Sequence, residues 1–285
     1  MGSVSGAADG GAAWRRLVLP PKLEVFGVGV SATDRADEVV AHVIDAARAR
    51  RPLVVSALSV HALMMAAEEE AMGRAIARAD LVTTDGQPVR WALNLLHRTK
   101  LARRVCGPQL MLEVCAAAAR QRLPIFLYGS RDAVIARLTE RLRARFPSLP
   151  IAGVDPSRVR PKRFPPPVDE PEDLADVERI RASAARILFV GLGCPLQETW
   201  AAAHRERLGM PALCVGAAFD FHAGLKSRAP QVLQDHGLEW TWRLLQDPRR
   251  LLGRYARYNS AFLGRIAAEL ARGRGAGRPM LSPLS

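Results

Sequence analysis

The sequence predicts an α/β domain with a largely parallel sheet flanked by helices, followed by a basic helical appendage at its C-terminal end. From Val25 onward, short β-branched or apolar runs alternate with longer amphipathic ones, the pattern of strands joined by crossover helices. That alternation stops near Gly237, where an arginine- and aromatic-rich stretch begins. The chain therefore divides into a leader (1–24), an α/β body (25–237), a helical appendage (238–272) and a frayed tail (273–285).

Each element follows from its local pattern. Strands are expected at 53–56, 81–83, 125–128, 151–154, 187–190 and 212–215, all short and apolar. Helices are expected at 33–50, 60–78, 88–96, 109–122, 132–146 and 195–208, where apolar residues recur at spacings of three and four behind a cap or a proline. Residues 158–171 carry Pro161, Pro165, Pro166, Pro167 and Pro171. Prolines remove the donors that sheets and helices need, so this is a surface excursion before a polar helix at 174–184. The leader is Gly- and Ala-rich and lacks the apolar block of a signal peptide, so it is expected to be disordered.

Composition narrows the function classes. A chain of 285 residues that is 49% hydrophobic can bury one large core with a small appendage. Cys106, Cys115, Cys194 and Cys214 form no CxxC pair, so they read as reduced, buried thiols of a cytoplasmic protein rather than a zinc site or a disulfide framework. No apolar run approaches the roughly 20 residues needed to span a bilayer, which makes any membrane role peripheral.

The net charge is +13, and the last sixth of the chain holds about half of it: nine arginines stand there against Asp247 and Glu269. Such a concentration predicts an anionic partner, whether lipid phosphate, pyrophosphate or nucleic acid. Leu251, Tyr255, Tyr258, Phe262, Ile266 and Leu270 form one helical stripe, with Arg250, Arg254 and Arg257 on a neighbouring face. The stripe suits a helix packed on the core or one lying in a membrane interface, where Trp240 and Trp242 would assist.

Three segments share a strand-turn-helix design: Leu81 to Pro88 with Asp85 and Gly86, Phe126 to Asp132 with Gly129, and Phe189 to Glu198 with Gly191, Gly193 and Gln197. Helix N-termini above strand ends favour phosphate, because free backbone N–H groups and the helix dipole attract anions. Together they point to a nucleotide site. Gly191-Leu192-Gly193 lacks the third glycine of a dinucleotide fingerprint, which argues against a nicotinamide-dependent oxidoreductase. Asp85 ends an apolar strand and reads either as an N-cap or as a carboxylate on the binding edge; Asp220 has the same setting. No Asp-x-Asp metal element occurs, so arginine and helix ends are left to meet a leaving diphosphate. A non-enzymatic module binding nucleic acid or membrane would leave Asp85 and Gln197 without a purpose.

The chain also resembles the WecG/TagA/CpsF family of bacterial glycosyltransferases. The resemblance rests on Ala79 to Gly86, Arg104 to Gly107, Val190 to Glu198, Val215 to Asp220, Arg228 to Pro230 and Gly237 to Leu251. It implies a Rossmann-like body and an inverting, metal-independent transfer from a UDP-sugar, such as UDP-N-acetylmannosamine, to a polyprenyl-diphosphate-linked sugar in cell-surface polysaccharide synthesis. It further implies no cofactor, no nucleic-acid partner, and association with the anionic inner face of the cell membrane; a homo-oligomer stays open. By position, Asp85 resembles the base, Arg104 and Gln197 substrate-binding residues, and Arg243, Arg249, Arg250, Arg254 and Arg257 a clamp on the acceptor diphosphate or contacts to the membrane. Ser56 keeps the hydroxyl of a site-lining position, and Gly86, Gly129, Gly191, Gly193 and Asp220, from the strand-end pattern above, complete the candidate donor- or substrate-binding set. Where the family has Thr-x-Asn, this chain reads Ser56-Ala57-Leu58, which leaves the donor sugar unassigned.

Overall fold

A computed structural model describes residues 17–156 and 170–272. Six parallel strands form the sheet, in the order β4-β3-β8-β7-β5-β6: β3 (Leu53–Leu58), β4 (Leu81–Thr84), β5 (Ile125–Tyr128), β6 (Ile151–Asp155), β7 (Ile187–Val190) and β8 (Pro211–Cys214). Alternate residues along each strand enter two cores. Val54, Val82, Phe126, Leu188 and Ala212 face one layer of helices, whereas Leu53, Leu81, Ile125, Ile187 and Leu213 face the other. Both faces are covered, which is why these strands read as unbroken apolar runs.

The first layer contains α2 (Val60–Glu68), α3 (Glu70–Arg78), α4 (Gln87–His97), α7 (Pro171–Ala182) and α8 (Leu196–Leu208). The second contains α1 (Ala36–Ala49), α5 (Gly107–Arg120), α6 (Asp132–Arg145) and the short α9 (Ala218–His222). Trp200 of α8 is fully buried beside Tyr128, with ring centroids 4.6 Å apart. Its indole N–H donates to Asp173, which also pairs with His204 at 2.5 Å, so α7 is tied to α8 by a buried polar chain.

Two local findings differ from the sequence pattern. The helix expected over 60–78 is two helices, broken at Glu69, whose backbone is extended (φ −110°, ψ 113°). A Cβ at Gly73 would lie 2.8 Å from the Ala66 carbonyl, so glycine lets the first turn of α3 abut the end of α2, and three successive glutamates weaken a continuous helix there. In addition, β1 (Lys22–Val25) and β2 (Val28–Ser31) form an antiparallel hairpin that begins inside the segment read as leader. Both residues of its Phe26-Gly27 turn have positive φ, as a type I′ hairpin turn requires. The Ser31 hydroxyl accepts from the Val82 N–H at 3.0 Å, bracing β4. Of the proline-rich excursion, residues 158–169 lie outside the described residues.

The C-terminal part is helical: α10 (Gln231–Asp235), α11 (Glu239–Gln246) and α12 (Pro248–Ala271). Leu251 and Phe262 are buried, and Tyr258 and Ile266 pack on the core. The apolar stripe thus seats α12 on the body, chiefly against α2, while Leu270 stays exposed. No helix among the described residues is long and apolar enough to cross a membrane.

Candidate active site

Because all six strands run the same way, the loops leaving β3, β4, β5, β7 and β8 emerge at one edge of the sheet. They line a cleft of about 850 Å³ that α11 and α12 close from the other side. β3 leads to β4 at one end of the sheet and β5 leads to β6 at the other, so the winding reverses across the central strands β8 and β7, the kind of place where doubly wound sheets bind ligands. A cleft of this size suits a small-molecule ligand.

Asp85 follows β4 at the cleft floor. Its Oδ1 accepts the Gly107 N–H at 2.8 Å, and its own N–H donates to Leu58 at 3.1 Å, so the carboxylate is fixed between β3 and the start of α5. Burial pushes this carboxyl above the ordinary carboxylate range; Arg243 and Arg104 oppose that rise and Glu239 adds to it. Arg104 donates from Nη1 to the Asp85 carbonyl at 2.9 Å. From Nη2 it donates to Gln234 at 3.0 Å and to Glu239 at 2.7 Å. Arg243 reaches Glu239 at 3.3 Å and lies 5.1 Å over the Phe221 ring. Burial alone would raise the Glu239 carboxyl, but Arg243 and Arg104 hold it below its usual range.

The opposite wall is the turn between β7 and α8. The Gly193 N–H donates to Gln197 Oε1 at 3.2 Å, and Gln197 Nε2 donates to Glu198 Oε1 at 2.8 Å. Gly191 passes so close to Phe219 that a Cβ there would lie 2.5 Å from the ring, and a Cβ on Gly129 would lie 2.9 Å from the Gly191 carbonyl carbon. Both glycines are needed for backbone approach. At the mouth, Arg254 of α12 faces His61 of α2; burial, with Arg254 adding to it, pushes that imidazole down to about 4.

A family profile for glycosyl transferases of the WecG/TagA/CpsF family matches residues 23–276. The chain belongs to this family. It is also similar to an N-acetylglucosaminyldiphosphoundecaprenol N-acetyl-beta-D-mannosaminyltransferase of Bacillus spizizenii, at 32% identity over 178 residues. That stretch is 61% of this chain and 64% of the relative, so the chain spans a little under two thirds of the length of the curated relative it matches.

Of the candidate site residues, the cleft gathers Asp85, Gly86, Arg104, Gly191, Gly193, Gln197, Asp220, Arg243 and Arg254. Asp220 faces Lys226 at 3.6 Å. Ser56 does not reach the cleft: it is buried within β3, and its neighbours Ala57 and Ser59 border the cleft instead. Leu58, at the family's asparagine position, is fully buried in the core. Gly129 supports the Gly191 backbone from behind, and Ser130 borders the cleft in its place. Arg249 and Arg257 are exposed outside the cleft, with Arg257 3.3 Å from Glu68; the Arg250 side chain lies outside the described residues. Sequence reasoning gave no role to Glu198, Glu239, Gln234 or His61. The first two sit inside the family motifs, beside Gln197 and Trp240, and that adjacency was the available signal.

Proposed function

We propose that this chain is an inverting, metal-independent glycosyltransferase that moves a sugar from a UDP-sugar to a polyprenyl-diphosphate-linked sugar in cell-envelope polysaccharide synthesis. The observation that carries the reading is Asp85: a fixed, half-buried carboxylate at the cleft floor, on the edge of the sheet where the strands end, with Arg104 and Arg243 beside it. In a single displacement the acceptor hydroxyl attacks the anomeric carbon opposite the leaving diphosphate. Asp85 takes the hydroxyl proton, a contribution of about 10²–10⁴-fold in rate. The departing charge falls to Arg243 and to backbone N–H groups at the start of α8, and a cleft that holds both substrates supplies the entropic part. The N-acetylmannosaminyl donor of the Bacillus relative is the first donor to try.

The mouth of the cleft supports a lipid-linked acceptor. Trp91, Leu95, Leu238, Trp240 and Leu263 are exposed apolar residues that border the same cleft as Arg254. An apolar rim with cations at its edge suits a prenyl chain and an anionic headgroup at the inner face of the cell membrane. The test is incubation with a panel of UDP-sugars and a polyprenyl-diphosphate-N-acetylglucosamine, followed by mass analysis. A disaccharide lipid with inverted anomeric configuration is expected. No product with any donor, or retained configuration, would contradict the proposal.

A further inference from the structure

Two uncharged polar side chains at the mouth of the cleft have no hydrogen-bond partner in the fold. His61 stands in the first turn of α2 and Asn259 in the middle of α12, both half-buried and both bordering the cleft. Neither side chain makes a hydrogen bond among the described residues, and neither is enclosed, so both are open to a ligand. From Tyr255 onward α12 turns Asn259, Phe262, Leu263 and Ile266 to the cleft, and Asn259 is the polar one of the four. Asparagine is a poor helix former because its amide competes for backbone groups. This amide does not do so, which leaves its donor and acceptor for the cleft. The His61 ring meets that of Tyr258, the residue before Asn259, edge-on with centroids 4.8 Å apart, so the two polar groups sit beside one α2–α12 seam. Burial, with Arg254 adding to it, keeps the imidazole neutral at physiological pH, with one ring nitrogen to donate and one to accept.

We propose that His61 and Asn259 form a recognition subsite for the uncharged acetamido group of the acceptor's sugar. This rests on the glycosyltransferase reading and makes the two residues specificity-determining for it. An acetamido group carries one N–H donor, one carbonyl acceptor and a methyl. The imidazole and the amide each offer a donor and an acceptor, and Phe262 and Leu263 beside Asn259 suit the methyl. Charge divides this pair from its neighbour: phosphate oxygens go to the Arg254 guanidinium, whereas a neutral imidazole and an amide suit an uncharged partner. Position favours the acceptor over the donor. The pair lies on the α12 side of the cleft with Arg254 and the exposed Leu95 and Leu263, where a lipid enters, while the sugar nucleotide falls to the strand-end turns at Gly191 and Gly193.

The test compares two soluble short-chain acceptors, prenyl diphosphate-N-acetylglucosamine and prenyl diphosphate-glucose, with whichever UDP-sugar the wild type accepts. The variants are His61→Phe, which keeps a ring against Tyr258, and Asn259→Leu, which continues the apolar stripe of α12. The wild type should favour the N-acetylglucosaminyl acceptor by about a hundredfold in kcat/KM, since the glucosyl one leaves the pair unmatched. Each variant should cut that preference by about tenfold, chiefly by slowing the N-acetylglucosaminyl reaction, while the donor KM stays level. One folded variant is enough, because each removes half of the pair. A wild type that does not distinguish the two acceptors, variants that keep its preference, or variants that raise the donor KM instead would overturn the subsite and leave glycosyl transfer standing. No transfer to either acceptor from any donor would overturn the glycosyltransferase reading and the subsite with it.

Discussion

The Arg104 guanidinium bridges two parts of the chain: it donates to the Asp85 carbonyl at 2.9 Å and to the Glu239 carboxylate at 2.7 Å. The floor of the cleft and α11 are therefore one electrostatic unit, and the appendage sets the charge that Asp85 feels.

Glu239→Gln should separate that unit. It leaves Arg104 and Arg243 without their shared carboxylate, both ends of the Arg104 pair being largely buried, and should cost about 2 kcal/mol in denaturant unfolding. It also removes a charge that raises the Asp85 carboxyl. Because the base is active when ionised, the acid limb of the pH-rate profile should move to lower pH. An unmoved limb would mean that Glu239 does not act on Asp85.

Arg254 and Arg257 should behave differently despite lying less than one turn apart. Arg254 borders the cleft, so Arg254→Gln should slow transfer to both a membrane-embedded acceptor and a short-chain soluble analogue, by roughly tenfold for loss of one charged hydrogen bond. Arg257 is exposed and paired with Glu68, so Arg257→Gln should affect only the membrane-embedded acceptor. Equal effects on both acceptors from both variants would contradict this division.

Burying Glu198 carries a stability cost that depends on pH. Its carboxyl is raised from 4.5 to about 7 on folding, so between those values the unfolded state is ionised while the folded state holds the proton. Stability from this group is full below about 4.5 and is lost as pH rises through about 7, a change of about 3 kcal/mol. Glu198→Gln should remove it, so the variant's melting temperature relative to wild type should be higher at pH 8 than at pH 4.5. A constant difference across that range would contradict the placement of the acid.

Turnover should survive EDTA, since the chain carries no Asp-x-Asp element and sets arginines beside the cleft. Loss of activity on chelation, restored by Mg²⁺ or Mn²⁺, would reverse that conclusion.

Much of the fold was legible because both sheet faces are covered: Ile125–Tyr128 and Ile187–Val190 coincide with their apolar runs. The β1–β2 hairpin was not, since its strands have four residues each and its Phe26-Gly27 turn is not among the common turn dipeptides. The break at Glu69 depends on a tertiary contact, Gly73 against Ala66, that periodicity cannot register. In the site, Asp85 was visible as a carboxylate at a strand end and Gln197 as part of the turn-and-helix segment that follows β7. The placement of Ser56 was not legible: a strand reverses its facing at every residue, so Ser56 is buried in the sheet while Ala57 borders the cleft. Glu239 and Gln234 gain their roles only when the appendage folds back on Arg104, more than a hundred positions away in sequence.

The most direct test of the account is the single-turnover rate of Asp85→Asn with donor and lipid-linked acceptor, measured alongside UDP affinity and the melting curve. The amide keeps the shape of the carboxylate but cannot take the acceptor proton. Transfer should fall by at least about a hundredfold while UDP binding and folding persist. A normal rate would show that Asp85 only anchors the Gly107 N–H and that the base lies elsewhere in the cleft, with Asp220 the next carboxylate to replace.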